Sequence, residues 1–151
     1  MSLDENVRIL IVDDDEDIRK TMQAILEDEG YVVDLATTGN EAIEMTQETA
    51  YNIALLDIRL PDIEGVELLK LMKNNMPKTR KIMITGYPSM QNAITALNKN
   101  ANAYLVKPVD DEELLKLVKE QLQLQKEEKK FNEQKVAEFI EARVKGITEF
   151  K

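Results

Sequence analysis

The chain has 151 residues, 43% of them hydrophobic, which is enough for one domain with a packed core and a short appendage. It contains no cysteine and no histidine, which excludes disulfides, thiolate or imidazole catalysis, and zinc sites built from those side chains. The net charge is −9, and residues 1–115 carry 11 basic against 22 acidic side chains, so we expect no direct binding to nucleic acid.

Short apolar runs alternate along the chain with segments whose apolar residues have helical spacing. Five such pairs follow one another: RILIV with a helix over 15–29, YVVDLA with 39–49, NIALLD with 65–75, KIMIT with Ser89 to Lys99, and AYLVK with a helix that opens at Asp110. Gly30 lies where the first helix must stop.

This alternation predicts an α/β protein, a doubly wound five-stranded parallel sheet with helices on both faces. Right-handed crossovers limit the possible topologies, and for five strands we expect the flavodoxin-like order 2-1-3-4-5. The five glycines, at positions 30, 39, 65, 86 and 146, form neither of the glycine-rich phosphate-binding loops of nucleotide-binding folds.

Four of the apolar runs end at charged or hydroxyl residues: Asp13 and Asp14, Asp57, Thr85, and Lys107. Because parallel strands present their carboxyl ends at one edge, these side chains are expected to share a crevice. Three carboxylates repel one another, and Mg²⁺ is the hard cation that suits such an oxygen site and leaves room for a phosphate. A carboxylate there could form an aspartyl phosphate, with Lys107 as counter-charge and Thr85 as donor. The structural alternative is that the aspartates and Lys107 form an ordinary buried ion pair. The presence of charged or hydroxyl residues at four separate strand ends disfavours this alternative.

The motifs ILIVDDDEDIR, ALLDIRLPDIEG, IMITGYPS and AYLVKP resemble the receiver domain of response regulators in two-component signalling, of the chemotaxis-receiver type, over about residues 6–124. The resemblance implies that Asp57 is the phosphoacceptor. It also implies that Asp13 and Asp14 form the acidic pair, that Asp14 contacts Mg²⁺, and that the backbone carbonyl of Arg59 is a further ligand.

The resemblance also assigns Thr85 and Lys107 to the phosphoryl group and implies a conformational switch. In such a switch the Thr85 hydroxyl moves toward the phosphoryl group while Tyr104 turns inward. The face that responds would comprise Ser89 to Lys99, Ala103 to Val106 and the helix that opens at Asp110. The alternative for Tyr104 is a half-buried side chain that only packs.

The function that the resemblance implies is a phosphoacceptor that controls a downstream protein or output domain. Without histidine the chain cannot supply a phosphohistidine, so a sensor histidine kinase or phosphotransfer protein must be the donor. It would catalyse only its own phosphotransfer and dephosphorylation and would not be a turnover enzyme. The alternatives are a degenerate interaction module and a phosphohydrolase with an aspartyl-phosphate intermediate. Arg59 counts against the phosphohydrolase, because such enzymes typically have an acid two residues after the nucleophile.

We expect residues 1–124 to form the receiver domain and residues 125–151 a helical extension, because no glycine or proline occurs between Val109 and Lys145. Val136, Ile140, Val144 and Ile147 form an apolar stripe on this extension. Three interpretations remain: a stalk for a homodimer, a linker to an absent output domain, or a solvated, frayed tail. No segment reaches the roughly 20 apolar residues of a membrane span, and no secretory signal is present, so we expect a cytoplasmic protein without membrane contact.

Overall fold

The computed structural model describes residues 7–72, 78–86 and 101–149, without the side chains of residues 65, 66 and 145–149. Its strands are β1 (Arg8–Val12), β2 (Val32–Ala36), β3 (Ile53–Asp57), β4 (Arg80–Thr85) and β5 (Ala103–Val106). Its helices are α1 (Glu16–Asp28), α2 (Gly39–Glu48), α3 (Gly65–Leu71) and a long C-terminal helix (Asp111–Glu149). The helix predicted over Ser89 to Lys99 lies outside the described residues.

The five strands form one parallel sheet in the order β2-β1-β3-β4-β5, which confirms the predicted doubly wound topology. Alternate side chains of each strand enter different cores. Ile9 and Ile11 pack with residues of α1 and the C-terminal helix, whereas Leu10 and Val12 pack with residues of α2 and α3. Every residue of β3 is buried, as expected for a strand covered on both faces.

The ends of the helices follow local sequence signals. Asp15 caps α1 by accepting hydrogen bonds from the backbone N–H groups of Asp17 and Ile18. After α1, Gly30 adopts a φ of 94°, a left-handed conformation that glycine tolerates best. The third helix was predicted over 65–75, whereas α3 ends at Leu71 and Met72 has extended backbone. Residues 73–75 of that prediction lie outside the described residues.

A buried polar network attaches the C-terminal helix to the sheet at the amino-terminal ends of β3 and β4. The Gln125 amide donates to the backbone carbonyls of Asn52 and Lys78, at 2.9 Å each, and its Oε1 accepts from Asn52 Nδ2 at 3.0 Å. Arg80 Nε donates to Gln121 Oε1 at 2.9 Å. Both glutamines are buried, whereas every side chain from residue 126 to 144 is exposed. The helix therefore leaves the domain after Gln125.

No helix among the described residues is long and apolar enough to cross a membrane.

Replacing Gln125 with leucine is expected to destabilise the protein by about 1–3 kcal/mol, because the Lys78 carbonyl and the Asn52 amide lose their buried partner. Urea unfolding followed by circular dichroism measures the loss. Gln123→Leu is the matched control, since the Gln123 amide donates its hydrogen bond to exposed Glu127 on the same helix. Equal losses in the two variants would contradict the importance of the buried network.

Candidate functional site

The carboxyl ends of four strands bring the predicted side chains to one edge of the sheet. Asp13 directly follows β1, Asp57 ends β3, Thr85 ends β4, and Lys107 directly follows β5. The register aligns these ends, because Asp57 pairs with Ile84 across β3 and β4. The Lys107 N–H also donates to the Thr85 carbonyl at 2.7 Å. Residues far apart in sequence are therefore neighbours here, as predicted.

Three carboxylates form the centre of this edge. Asp13, Asp14 and Asp57 each offer one oxygen, and these oxygens all lie within 4.8 Å of one another. Asp13 and Asp57 are buried, with 1% and 7% of their surface exposed, whereas Asp14 is exposed. The cluster therefore has one side open to solvent and two members withdrawn from it.

Lys107 supplies positive charge to this cluster. Its Nζ lies 3.0 Å from Asp13 Oδ2 and 3.4 Å from Asp57 Oδ2. Burial alone would lower the pKa of Lys107, but its interaction with the Asp13 carboxylate, followed by that with Asp57, more than offsets this and raises the pKa. Lys107 is therefore positively charged at neutral pH and contacts both buried carboxylates.

One lysine does not balance the buried acids. Burial, followed by the charge of Asp13, raises the pKa of Asp57 above its ordinary value, although Lys107 and the N–H of Arg59 oppose the rise. Among the described residues, Asp13 Oδ2 has Lys107 as its neighbour but accepts no hydrogen bond of good geometry. The candidate metal ligands are all carboxylate oxygens, and added positive charge would reduce the repulsion between them. This set of ligands therefore fits Mg²⁺.

Contacts that the sequence patterns did not reveal hold Asp13 and Asp57 in place. Asp13 Oδ1 accepts from the N–H of Asp15 at 2.9 Å, and Arg19 Nη1 donates to the Asp13 carbonyl at 2.7 Å. The N–H of Arg59 donates to Asp57 Oδ1 at 3.3 Å, and Arg59 pairs with Glu64 in an isolated antiparallel bridge. The helical periodicity of α1 does not distinguish Arg19 from its exposed neighbours.

The predicted switch residues lie on neighbouring strands. Thr85 is 1% exposed, and Tyr104 is partly buried and packs against the core that includes Met83. The Tyr104 hydroxyl is buried and accepts or donates no hydrogen bond within the part of the chain that the structure describes. The rest of the predicted switch face, Ser89 to Lys99, is outside that part.

Because the pKa of Asp57 is raised in the folded protein, its contribution to stability is present at low pH and is lost as the pH rises through that pKa. Asp57→Asn is therefore expected to raise the thermal midpoint at pH 7 in EDTA, and the gain should shrink toward pH 4. Each kcal/mol corresponds to about 2–4 °C for a chain of this size. Asp28→Asn, at an exposed position of α1, is the control and should leave the midpoint unchanged. A lower midpoint for Asp57→Asn in EDTA would contradict the charge imbalance.

Comparison with known proteins identifies the family. The model of the response regulator receiver domain matches residues 9–119. The chain is 38% identical over 111 residues to the uncharacterized transcriptional regulatory protein YkoG of Bacillus subtilis, covering 74% of this chain and 49% of that protein. It is 39% identical over 110 residues to the transcriptional regulatory protein ZraR of Klebsiella oxytoca, covering 73% of this chain and 25% of ZraR. The chain thus spans half or less of these curated relatives.

A solved structure extends the similarity to the fold. The response regulator receiver domain protein (CheY-like) from Methanospirillum hungatei is 46% identical, with a TM-score of 0.77. The match covers 82% of this chain and 98% of that one. The family match also disfavours the phosphohydrolase alternative. The chain therefore belongs to the family of response-regulator receiver domains of two-component systems.

Proposed function

We propose that this chain accepts a phosphoryl group on Asp57 and passes on the resulting change through its surface and its C-terminal helix. The observation that carries the proposal is the cluster of three carboxylate oxygens within 4.8 Å of one another, with Lys107 in contact with two of these acids. Such a cluster concentrates negative charge where a metal and a phosphoryl group can share it. Asp57 is the member that ends the fully buried strand β3.

In this proposal Asp13, Asp14, Asp57 and the backbone carbonyl of Arg59 hold Mg²⁺. The bound ion supplies positive charge to the oxygens of the transferred group. Burial limits the competing solvation of Asp13 and Asp57 by water and strengthens their interactions with nearby charges. The exposed position of Asp14 leaves a side through which water and a donor can enter.

The proposed transfer requires a donor that the chain does not contain. An Asp57 carboxylate oxygen forms a bond to phosphorus while the phosphorus–nitrogen bond of a phosphohistidine breaks, and the leaving imidazole takes up a proton from solvent. A sensor histidine kinase or phosphotransfer protein supplies that phosphohistidine. Lys107 neutralises the phosphoryl oxygens, and Thr85 donates a hydrogen bond to them. Hydrolysis of the acyl phosphate restores Asp57, so the chain modifies only itself.

The switch in this proposal couples Thr85 to Tyr104. A phosphoryl group at Asp57 attracts the Thr85 hydroxyl, and the space near Thr85 then favours an inward Tyr104. Two observations support this coupling: both residues lie on adjacent paired strands, and the Tyr104 hydroxyl is buried without a hydrogen bond among the described residues. A buried hydroxyl without a partner costs free energy, so alternative positions of Tyr104 are close in energy.

We propose residues 1–124 as the receiver domain and residues 125–151 as the extension that contacts the output. Burial along the helix supports a boundary within one residue of this position, because the last buried side chain is Gln125 and residues 126–144 are exposed. The exposed part carries large apolar side chains that are each more than half exposed: Phe131, Val136, Phe139, Ile140 and Val144. A second copy of the chain or an output domain would cover them. The acidic domain itself is not proposed to contact nucleic acid, and we place the protein in the cytoplasm.

Incubation with Mg²⁺ and acetyl phosphate or phosphoramidate is expected to add one phosphoryl group, detected by intact mass. Asp57→Asn should abolish the adduct, because it removes the attacking carboxylate. Asp28→Asn provides a matched control that retains the cluster and should form the adduct normally. If the wild-type protein, with Mg²⁺ confirmed as bound, formed no adduct with either donor, the proposed function would be wrong.

If the extension forms a homodimer, light scattering should give a mass twice that of one chain. Val136→Gln with Ile140→Gln should then shift the protein to a monomer, because both changes reduce apolar surface on one stripe. Phe131→Gln removes a similarly exposed apolar side chain about 140° around the helix from Val136 and about 180° from Ile140, and should leave the dimer intact. A wild-type monomer both with and without beryllofluoride would contradict the homodimer and favour the linker.

A further inference from the structure

The loop between β3 and α3 is attached to the first turn of a different helix, α2. Asp62 Oδ1 accepts from the N–H of Gly39 at 2.8 Å, and Asp62 Oδ2 accepts from the N–H of Asn40 at 2.9 Å. These N–H groups belong to the first turn, where no partner exists within the helix itself. The negative carboxylate also suits the positive end of the helix dipole. Asp62 thus joins two segments that are 22 residues or more apart in sequence.

A second contact holds the same loop against α2. The Ile63 side chain occupies the space that a Cβ atom at position 39 would require. Gly39 therefore lets the loop lie directly on the helix backbone. The hydrogen bonds of Asp62 and the packing of Ile63 are independent contacts, and both fix the tip of the loop at α2.

The same loop leads back to the acidic cluster. Arg59 lies three residues before Asp62, and its N–H donates to Asp57 Oδ1 at 3.3 Å. Arg59 also pairs with Glu64 in an antiparallel bridge, which closes the loop at its base. A displacement of the tip would therefore be transmitted to Arg59, and through Arg59 to the surroundings of Asp57.

From these contacts we infer that Asp62 is a positioning residue for the metal site. By binding the first turn of α2 it fixes the loop that presents Arg59, and so fixes one side of the site that holds Mg²⁺. The inference rests on the proposed function for the identity of the ion. The competing explanation is that Asp62 only stabilises α2 as a cap.

Thr38 distinguishes the two explanations, because among the described residues its side chain hydrogen-bonds the helix itself and not the loop. Its Oγ1 accepts from the N–H of Glu41 at 3.2 Å. Thr38→Ala and Asp62→Ala should each lower the thermal midpoint by about 2–4 °C through loss of a cap. Only Asp62→Ala should alter the loop.

The experiment compares wild type, Thr38→Ala and Asp62→Ala in two measurements. In isothermal titration with Mg²⁺, Asp62→Ala should bind roughly 10-fold more weakly, the usual effect of losing support behind a metal ligand, and Thr38→Ala should bind like wild type. In EDTA, amide hydrogen exchange over residues 58–64 should accelerate only in Asp62→Ala. Equal exchange in the two variants, or wild-type Mg²⁺ affinity in Asp62→Ala, would overturn the inference.

The exchange measurement does not depend on metal. If the wild-type protein bound no Mg²⁺, both the proposed function and the role of Asp62 in a metal site would be wrong. Unchanged Mg²⁺ affinity in Asp62→Ala, with wild type binding normally, would overturn the inference alone.

Two further variants test the contact between the loop and α2. Alanine has a higher helix propensity than glycine, yet Gly39→Ala should displace Ile63 and weaken Mg²⁺ binding in the direction of Asp62→Ala. Asp62→Asn keeps one acceptor oxygen and should fall between wild type and Asp62→Ala. Normal Mg²⁺ affinity in Gly39→Ala would contradict the role of the loop contact.

Discussion

The structure depends on an imbalance of charge at the carboxyl edge of its sheet. Two buried carboxylates, Asp13 and Asp57, lie beside exposed Asp14, and in the described part of the chain Lys107 is the lysine that contacts the buried pair. Withdrawal from water makes the repulsion between such acids stronger, because the effective dielectric constant falls. The fold keeps them together through strand register and backbone hydrogen bonds. In the proposed function, a divalent cation and a phosphoryl group would relieve this repulsion.

The acids remain in position because each belongs to a segment that is held at a second point. Asp13 lies in the turn that Arg19 and the cap of α1 restrain, and Asp57 leads into the loop that Asp62 attaches to α2. Lys107 directly follows a different strand, β5, and its backbone N–H donates a hydrogen bond to the Thr85 carbonyl. Three chain segments that approach from different parts of the sequence thus converge with little freedom. Such convergence is the structural form of preorganisation, in which folding rather than binding supplies the cost of orienting the groups.

Apolar periodicity and the residues after each run were sufficient to predict the sheet and the convergence of side chains at the carboxyl ends of its strands. The strand order was the one expected for a five-stranded doubly wound sheet, and periodicity alone does not determine it. The sequence did not reveal the partners of Asp62 or Gln125. The Gln125 amide contacts Asn52, 73 residues away, and no periodic pattern marks a polar pair across such a distance. Lys81 is also fully buried in β4, although lysine is rarely found there. Burial of the charged form lowers its pKa. Polar contacts of this kind are set by tertiary packing, which composition and spacing do not encode locally.

The two ends of β3 connect the site to the C-terminal helix. Asp57 ends the strand at the acidic cluster, and Asn52, directly before the strand, binds Gln125 at the opposite edge. Five residues of parallel strand span about 17 Å, so the cluster and the point where the helix leaves the domain are separated by little more than one strand length. Because buried hydrogen bonds fix the helix at Gln125, this position is a poor hinge. A change at Asp57 would therefore reach a partner through the surface beside Thr85 and Tyr104 or through a new neighbour of the exposed helix, rather than through bending at the point of exit.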